Sequence, residues 1–118
     1  MNKKALRLAD YIQHIGDAIA RVQRYTRGKS KAAFIGDEQL QDAVVRNLEI
    51  IGEAARNISQ HAPAFTQQNT QIPWPALYAM RNRLSHGYWA VDLDVVWQVV
   101  QRDLPALKEK LEALEVPE

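Results

Sequence analysis

The sequence predicts an all-α protein of four to five helices, packed as an antiparallel bundle in a single domain over residues 1–118. Three observations carry this reading. Apolar residues step by three and four through the long segments, the spacing that gathers them on one helix face. Gly28, Gly36, Pro63, Pro73 and Gly87 punctuate the chain between those segments. No stretch alternates polar and apolar residues for long enough to make a strand.

The first helix is expected from about Lys4 to Tyr25. Leu8, Ile12, Ile15, Ile19 and Val22 form its apolar face, and Asp10, His14, Asp17, Arg21 and Arg24 step the same way on the other. Gly28 can supply a left-handed cap at its end. The second helix starts at Asp37, a good N-cap, with Glu38 at the positive helix end. Leu40, Val44, Leu48, Ile51, Ala55 and Ile58 are its stripe, and it should fade by Ser59–His61. Gly52 interrupts it at a cost of about 1 kcal/mol relative to Ala, which close approach of a neighbouring helix would offset.

Residues 62–73 are polar and bounded by proline, and read as a loop. Pro75 suits the first turn of a third, shorter helix that carries Leu77, Met80 and Leu84 inward and ends near His86–Gly87. The fourth opens at Asp92 or Asp94. Leu93, Trp97, Val100, Leu104, Leu107, Leu111 and Leu114 follow the best heptad in the chain and should serve mainly the internal core. Pro105 lies inside that heptad and must kink or restart the helix.

Composition narrows the function. With 47% hydrophobic and 25% charged residues, the chain is globular rather than disordered. It has no cysteine, which excludes disulfides, thiolate zinc sites, a cysteine nucleophile and thiol redox chemistry. No apolar run approaches the ~18 residues of a membrane span, and the N-terminus lacks a signal-type apolar block, so a cytoplasmic protein is expected. The net charge of +1 hides an asymmetry. Residues 1–31 hold eight Lys/Arg against two Asp, a net +6, and the remainder is net −5. Arg21, Arg24, Arg27, Lys29 and Lys31 surround Tyr25, a pattern that suits an RNA backbone or, more blandly, a solvated helix end.

The chemistry concentrates in Met80–Trp89, which holds Arg81, Asn82, His86 and Tyr88. The arginine fork matches phosphate oxygens, and histidine moves protons near neutrality. Together Arg81 and His86 suit a metal-independent attack of a ribose 2′-hydroxyl on its own 3′-phosphate, with His86 as general base or acid and Arg81 stabilising the transition state. Positions five apart lie about 140° apart around a helix, so the two converge only if the helix ends between them. The bland alternative is a solvated Arg81 and Arg83 with His86 as a helix C-cap. His14, His61 and His86 are scattered without metal-ligand spacing, no phosphate loop or serine elbow is visible, and no metal or other cofactor is expected. His14 and His61 read as surface residues, and Trp97 as a core or interface anchor. Arg46, Glu49, Glu53 and Arg56 share a polar face, either as a solvated ladder or orienting Arg81 and His86.

RNRLSHGY resembles the signature of the HEPN superfamily: Arg, four to six residues, His, any residue, Tyr. Val45–Ser59, VRNLEIIGEAARNIS, resembles the second-helix block of its HepT-like branch, and residues 72–111 resemble the rest, including the Trp after the acidic cap. The resemblance implies a bundle of HEPN type and the toxin of a type VII toxin–antitoxin pair. Such a toxin is a ribonuclease that dimerises to bring two motif copies together in a cleft. It implies a partner, an MntA-like minimal nucleotidyltransferase antitoxin that uses ATP to add AMP to the motif tyrosine, here Tyr88. By position it makes Arg81 and His86 catalytic and Asn82 supporting, and it assigns no role to Glu49 and Glu53 of the second-helix block. A second reading stays open: a non-catalytic module that binds nucleic acid or nucleotide for the partner transferase.

Overall fold

A computed structural model describes residues 8–86 and 91–116, with the backbone alone for Ser85 and His86. The described chain is helical throughout its regular parts. The four expected segments appear as α1 (Leu8–Thr26), α3 (Glu38–His61), α5 (Trp74–His86) and a final pair, α6 (Leu93–Gln98) and α7 (Leu104–Glu112). Two short helices, α2 (Lys31–Ile35) and α4 (Pro63–Gln68), fill stretches that read as loop. No described helix is long and apolar enough to cross a membrane.

The long helix α3 is central, packed along α1 on one side and α5 on the other. All six residues of its expected stripe, Leu40 to Ile58, are buried. Asp37 caps it, accepting the Leu40 N–H at 3.0 Å. In α1, Ile15, Ile19 and Val22 are buried and Leu8 and Ile12 half-buried. Gly28 takes the expected left-handed conformation, φ +74°. Arg21 of α1 meets Asn47 of α3, and Tyr11 meets His61, so the two helices run antiparallel.

The short helices have physical causes the pattern hid. Ser30 caps α2 through its hydroxyl, which accepts the Ala33 N–H at 3.1 Å. That turn drives Phe34 fully into the core, stacked on Trp97 with ring centroids 5.2 Å apart. Pro63 starts α4 at a position where its missing N–H costs nothing. Phe65 and Ile72 then bury, and the Trp74 indole N–H donates to the Asn69 carbonyl at 3.0 Å. The polar segment 62–73 is therefore a packed connection rather than a plain loop.

Asp92 caps α6, accepting from the Asp94 and Val95 N–H groups. The helix does not break at Pro105. Instead Val99–Asp103 widens into a π-helical turn, and the Leu104 N–H bonds back to the Val99 carbonyl five residues earlier. This wider turn accommodates a residue that has no N–H and clashes with the carbonyl four positions back. Val100, Leu104 and Leu107 stay buried through it, so the heptad serves the internal core.

Candidate active site

The site begins at Gly52. A Cβ there would run into the Cβ of Arg81 and stand 2.7 Å from the Leu77 carbonyl oxygen. The missing side chain lets α5 lie directly on α3, the close approach that its position inside a helix suggested. It also fixes where Arg81 stands, one residue from Glu53. Arg81 Nε lies 3.0 Å from Glu53 Oε1, and Arg81 Nη1 donates to Asn82 Oδ1 at 2.9 Å.

The guanidinium is thus held from two sides while its side chain stays 32% exposed, which leaves further N–H donors for a ligand. Glu53 Oε1 is itself buried and accepts no well-aligned hydrogen bond among the described residues. Its charge is met by Arg81 at a short but off-line contact, so the pair is an ion pair more than a hydrogen bond.

A cleft of about 390 Å³ opens beside this pair, lined among others by Tyr11, His14, Arg46, Glu49, Glu53 and Arg81. The structure therefore gathers Arg81 with all three carboxylate and arginine positions expected nearby. The Arg46–Glu49 contact is loose, 3.9 Å. Arg56 is exposed, and Glu53 turns to Arg81.

Helix α5 ends at His86, where the sequence predicts its end, but the condition for convergence of Arg81 and His86 is not met, and part of the motif falls outside the described residues. Helix α5 runs unbroken from Arg81 through His86, so it does not end between them. Their helix positions therefore remain about 140° apart. Beyond its backbone position at the last residue of α5, His86 lies outside the described residues, and Tyr88 lies outside them altogether.

The basic cluster is not part of the cleft. Arg21 Nε donates to the buried Asn47 at 2.7 Å, Arg24 lies over the Tyr25 ring at 5.4 Å, and Lys31 pairs with Asp94 at 2.7 Å. Arg27 and Lys29 are exposed. Arg24 is ten residues along α1 from His14, about 15 Å at the helical rise.

Tyr11 and His14 were not legible as site residues. His14 is exposed, as expected of a surface residue, yet it faces the same cleft as Arg81. Only the antiparallel pairing of α1 with α3 brings them there, and no local motif signals it. A larger cavity, about 450 Å³, lies between α5 and the α6–α7 arm. Its walls are mainly aliphatic, Leu77, Met80, Val95 and Val99 among them, with Arg83, Asp92, Asp103 and Lys110 also in the lining.

Comparison with known proteins places this geometry. The model of a family described as Ribonuclease HepT-like matches residues 15–114. A protein of Thermococcus cleftensis named "Probable ribonuclease HepT" is 41% identical over 105 residues, 89% of this chain and 93% of that one. A relative from Caldanaerobacter subterraneus subsp. tengcongensis, named as a candidate RNase, is 30% identical over 88% of this chain and 90% of its own length. Among solved structures, a chain from the crystal structure of a toxin–antitoxin with AMP-PNP superposes with a TM-score of 0.66 at 26% identity. That match covers 89% of this chain and 94% of the other. The all-α architecture around Arg81 and the extent of these matches lead to one conclusion: the chain belongs to the HepT-like ribonuclease family.

Proposed function

We propose that this protein is the toxin of a type VII toxin–antitoxin pair, a metal-independent endoribonuclease that uses Arg81 and His86. The observation that carries the reading is the held, half-exposed Arg81 guanidinium at the edge of a cleft, five residues before a histidine at the end of the same helix. His86 takes the proton of a ribose 2′-hydroxyl, and O2′ attacks the adjacent phosphorus. Arg81 stabilises the charge that builds on the phosphoryl oxygens. The 5′-oxygen leaves with a proton, giving a 2′,3′-cyclic phosphate and a 5′-hydroxyl.

The angular offset of Arg81 and His86 on an unbroken helix supports a C2 homodimer, in which a second copy brings another Arg81 and His86 to one cleft. A monomer by light scattering that still cleaves RNA would contradict it. Neutralisation fits an MntA-like nucleotidyltransferase that transfers AMP from ATP to the Tyr88 hydroxyl, releasing pyrophosphate. The added phosphate charge and base would repel and displace RNA beside His86. The toxin–antitoxin neighbour bound to AMP-PNP supports a partner that handles a nucleotide.

Product chemistry tests the reaction. A defined RNA oligonucleotide incubated in EDTA should give fragments ending in 2′,3′-cyclic phosphate by mass spectrometry. Fragments with 5′-phosphates, or activity lost on chelation, would contradict the mechanism. Binding of RNA that is salt-sensitive, survives His86→Ala and shows no turnover would favour the non-catalytic module.

Glu53 acts in this reading as a positioning residue. Glu53→Gln keeps the shape and removes the charge that holds Arg81. A fall in kcat of about ten-fold is expected, with little change in thermal stability, because partly exposed ion pairs contribute only about 0–1 kcal/mol. An unchanged kcat would remove Glu53 from the mechanism.

A further inference from the structure

Attack of a ribose 2′-hydroxyl on its own phosphate moves two protons. One leaves O2′ as it attacks, and one must reach O5′ as it departs. The motif supplies one histidine per chain, and on the unbroken α5 its position lies about 140° around the helix from Arg81. A second histidine stands beside Arg81 and comes from a different helix. His14 of α1 lines the same cleft of about 390 Å³.

His14 is placed as a working group would be. Its neighbour Ile15 is fully buried, so the backbone beneath His14 is anchored where α1 packs on α3. His14 itself is exposed. Tyr11, one turn earlier, stands edge-on to it, with ring centroids 6.1 Å apart and planes at 87°. Tyr11 lies parallel to His61 of α3, with ring centroids 6.2 Å apart and planes within 1°. The tyrosine is thus braced from α3 and borders the imidazole on its N-terminal side. Of these two histidines, His14 lines the cleft and His61 does not. An imidazole gives a proton and takes it back near neutrality, which suits a group that must reset after each turnover.

We propose that His14 is the general acid of the reaction and protonates the 5′-oxygen that leaves the phosphate engaged by Arg81. As the P–O5′ bond breaks, its electron pair takes a proton from the His14 imidazolium, and His14 becomes neutral. His86 has taken the O2′ proton as the O2′–P bond forms. Exchange with water returns both histidines to their starting forms. This role rests on the ribonuclease reading and adds to it a second proton-transfer residue, contributed by α1.

Leaving-group chemistry separates this role from a structural one. The bond cut is first mapped on an unmodified oligonucleotide in EDTA. A second oligonucleotide then carries a bridging sulfur in place of the 5′-oxygen at that bond. The sulfur leaves as a thiolate, a much weaker base than an alkoxide, and needs no proton. His14→Gln changes an exposed position, and its melting temperature should match wild type. It should cut the ordinary substrate about a hundred-fold more slowly, within the range of one general acid. It should cut the sulfur substrate within about three-fold of wild type, whereas His86→Ala should stay slow on both.

An ordinary rate unchanged by His14→Gln would overturn the assignment. So would an equal loss on both substrates, the behaviour of a residue that only binds or shapes the cleft. Rescue of His86→Ala by the sulfur substrate in place of His14→Gln would make His86 the acid and overturn it too. Wild type of unmodified mass that cuts neither substrate removes the ribonuclease reading. Wild type that cuts both, without selective rescue of His14→Gln, removes the role of His14 alone.

Discussion

Arg81→Ala is expected to slow RNA cleavage by about a hundred- to a thousand-fold, the usual cost of removing one charge-stabilising donor from a transition state. The measurement is the initial rate on a defined oligonucleotide in EDTA. Arg81→Lys should recover little, since an ammonium cannot engage Glu53, Asn82 and two phosphoryl oxygens as a planar fork can. The substitution has a second consequence. It leaves the buried Glu53 Oε1 without its counter-charge, so Arg81→Ala should also lower stability modestly. Arg81→Ala combined with Glu53→Gln should regain that stability and none of the activity. Recovery of both would assign Arg81 a structural role alone.

Gly52 gives the second large effect, and its sign is diagnostic. In an open helix interior Gly→Ala stabilises by about 1 kcal/mol. Gly16, in the middle of α1, has nothing within 4 Å of an added Cβ, so Gly16→Ala should raise the melting temperature. Gly52→Ala should lower it. Its Cβ would collide with Arg81 and with the Leu77 backbone carbonyl, and neither is the free end of a flexible side chain. Overpacking of this kind costs about 1–3 kcal/mol, and Gly52→Leu should cost more. Because the displaced element is α5, cleavage should fall in the same variants. A Gly52→Ala protein more stable than wild type would show that α3 and α5 do not approach as closely as described.

Much of this was legible in the sequence where one helix face decides the outcome. The α3 stripe from Leu40 to Ile58 needed only its spacing, and Asp37 and Asp92 needed only their chemistry as caps. Gly52 was legible as an anomaly, and its cost pointed to a close neighbour. The short helices were not legible, because α2 has five residues and α4 six, too few to show a period. Phe34, Phe65 and Ile72 therefore gave no sign that they would be buried. Pro105 signalled a disruption but not its form, a π-helical turn that keeps the later core positions buried.

The candidate site divides the same way. Arg81, Asn82 and His86 form a local motif and could be found by eye. Glu53 was one of several carboxylate and arginine positions on a polar face, and only its packing against α5 singled it out. Tyr11 and His14 reach the cleft through a pairing of helices that separates them from Arg81 by most of the chain. The end of α5 near His86–Gly87 was legible from Gly87, and because nothing between Arg81 and His86 breaks the helix, the two stay on one continuous helix.

The central claim is that Arg81 and His86 cleave RNA without a metal. The most direct measurement is total cellular RNA incubated in EDTA with purified wild type, beside His86→Ala, with the intact mass of each protein recorded first. Unmodified wild type should degrade the RNA, and His86→Ala should be slower by about a hundred-fold or more, the loss expected for a general acid or base. An intact mass carrying AMP increments would identify protein already neutralised, to be replaced by Tyr88→Phe before the assay. Wild type of unmodified mass that leaves the RNA intact, or His86→Ala that cleaves as fast as wild type, would contradict the account.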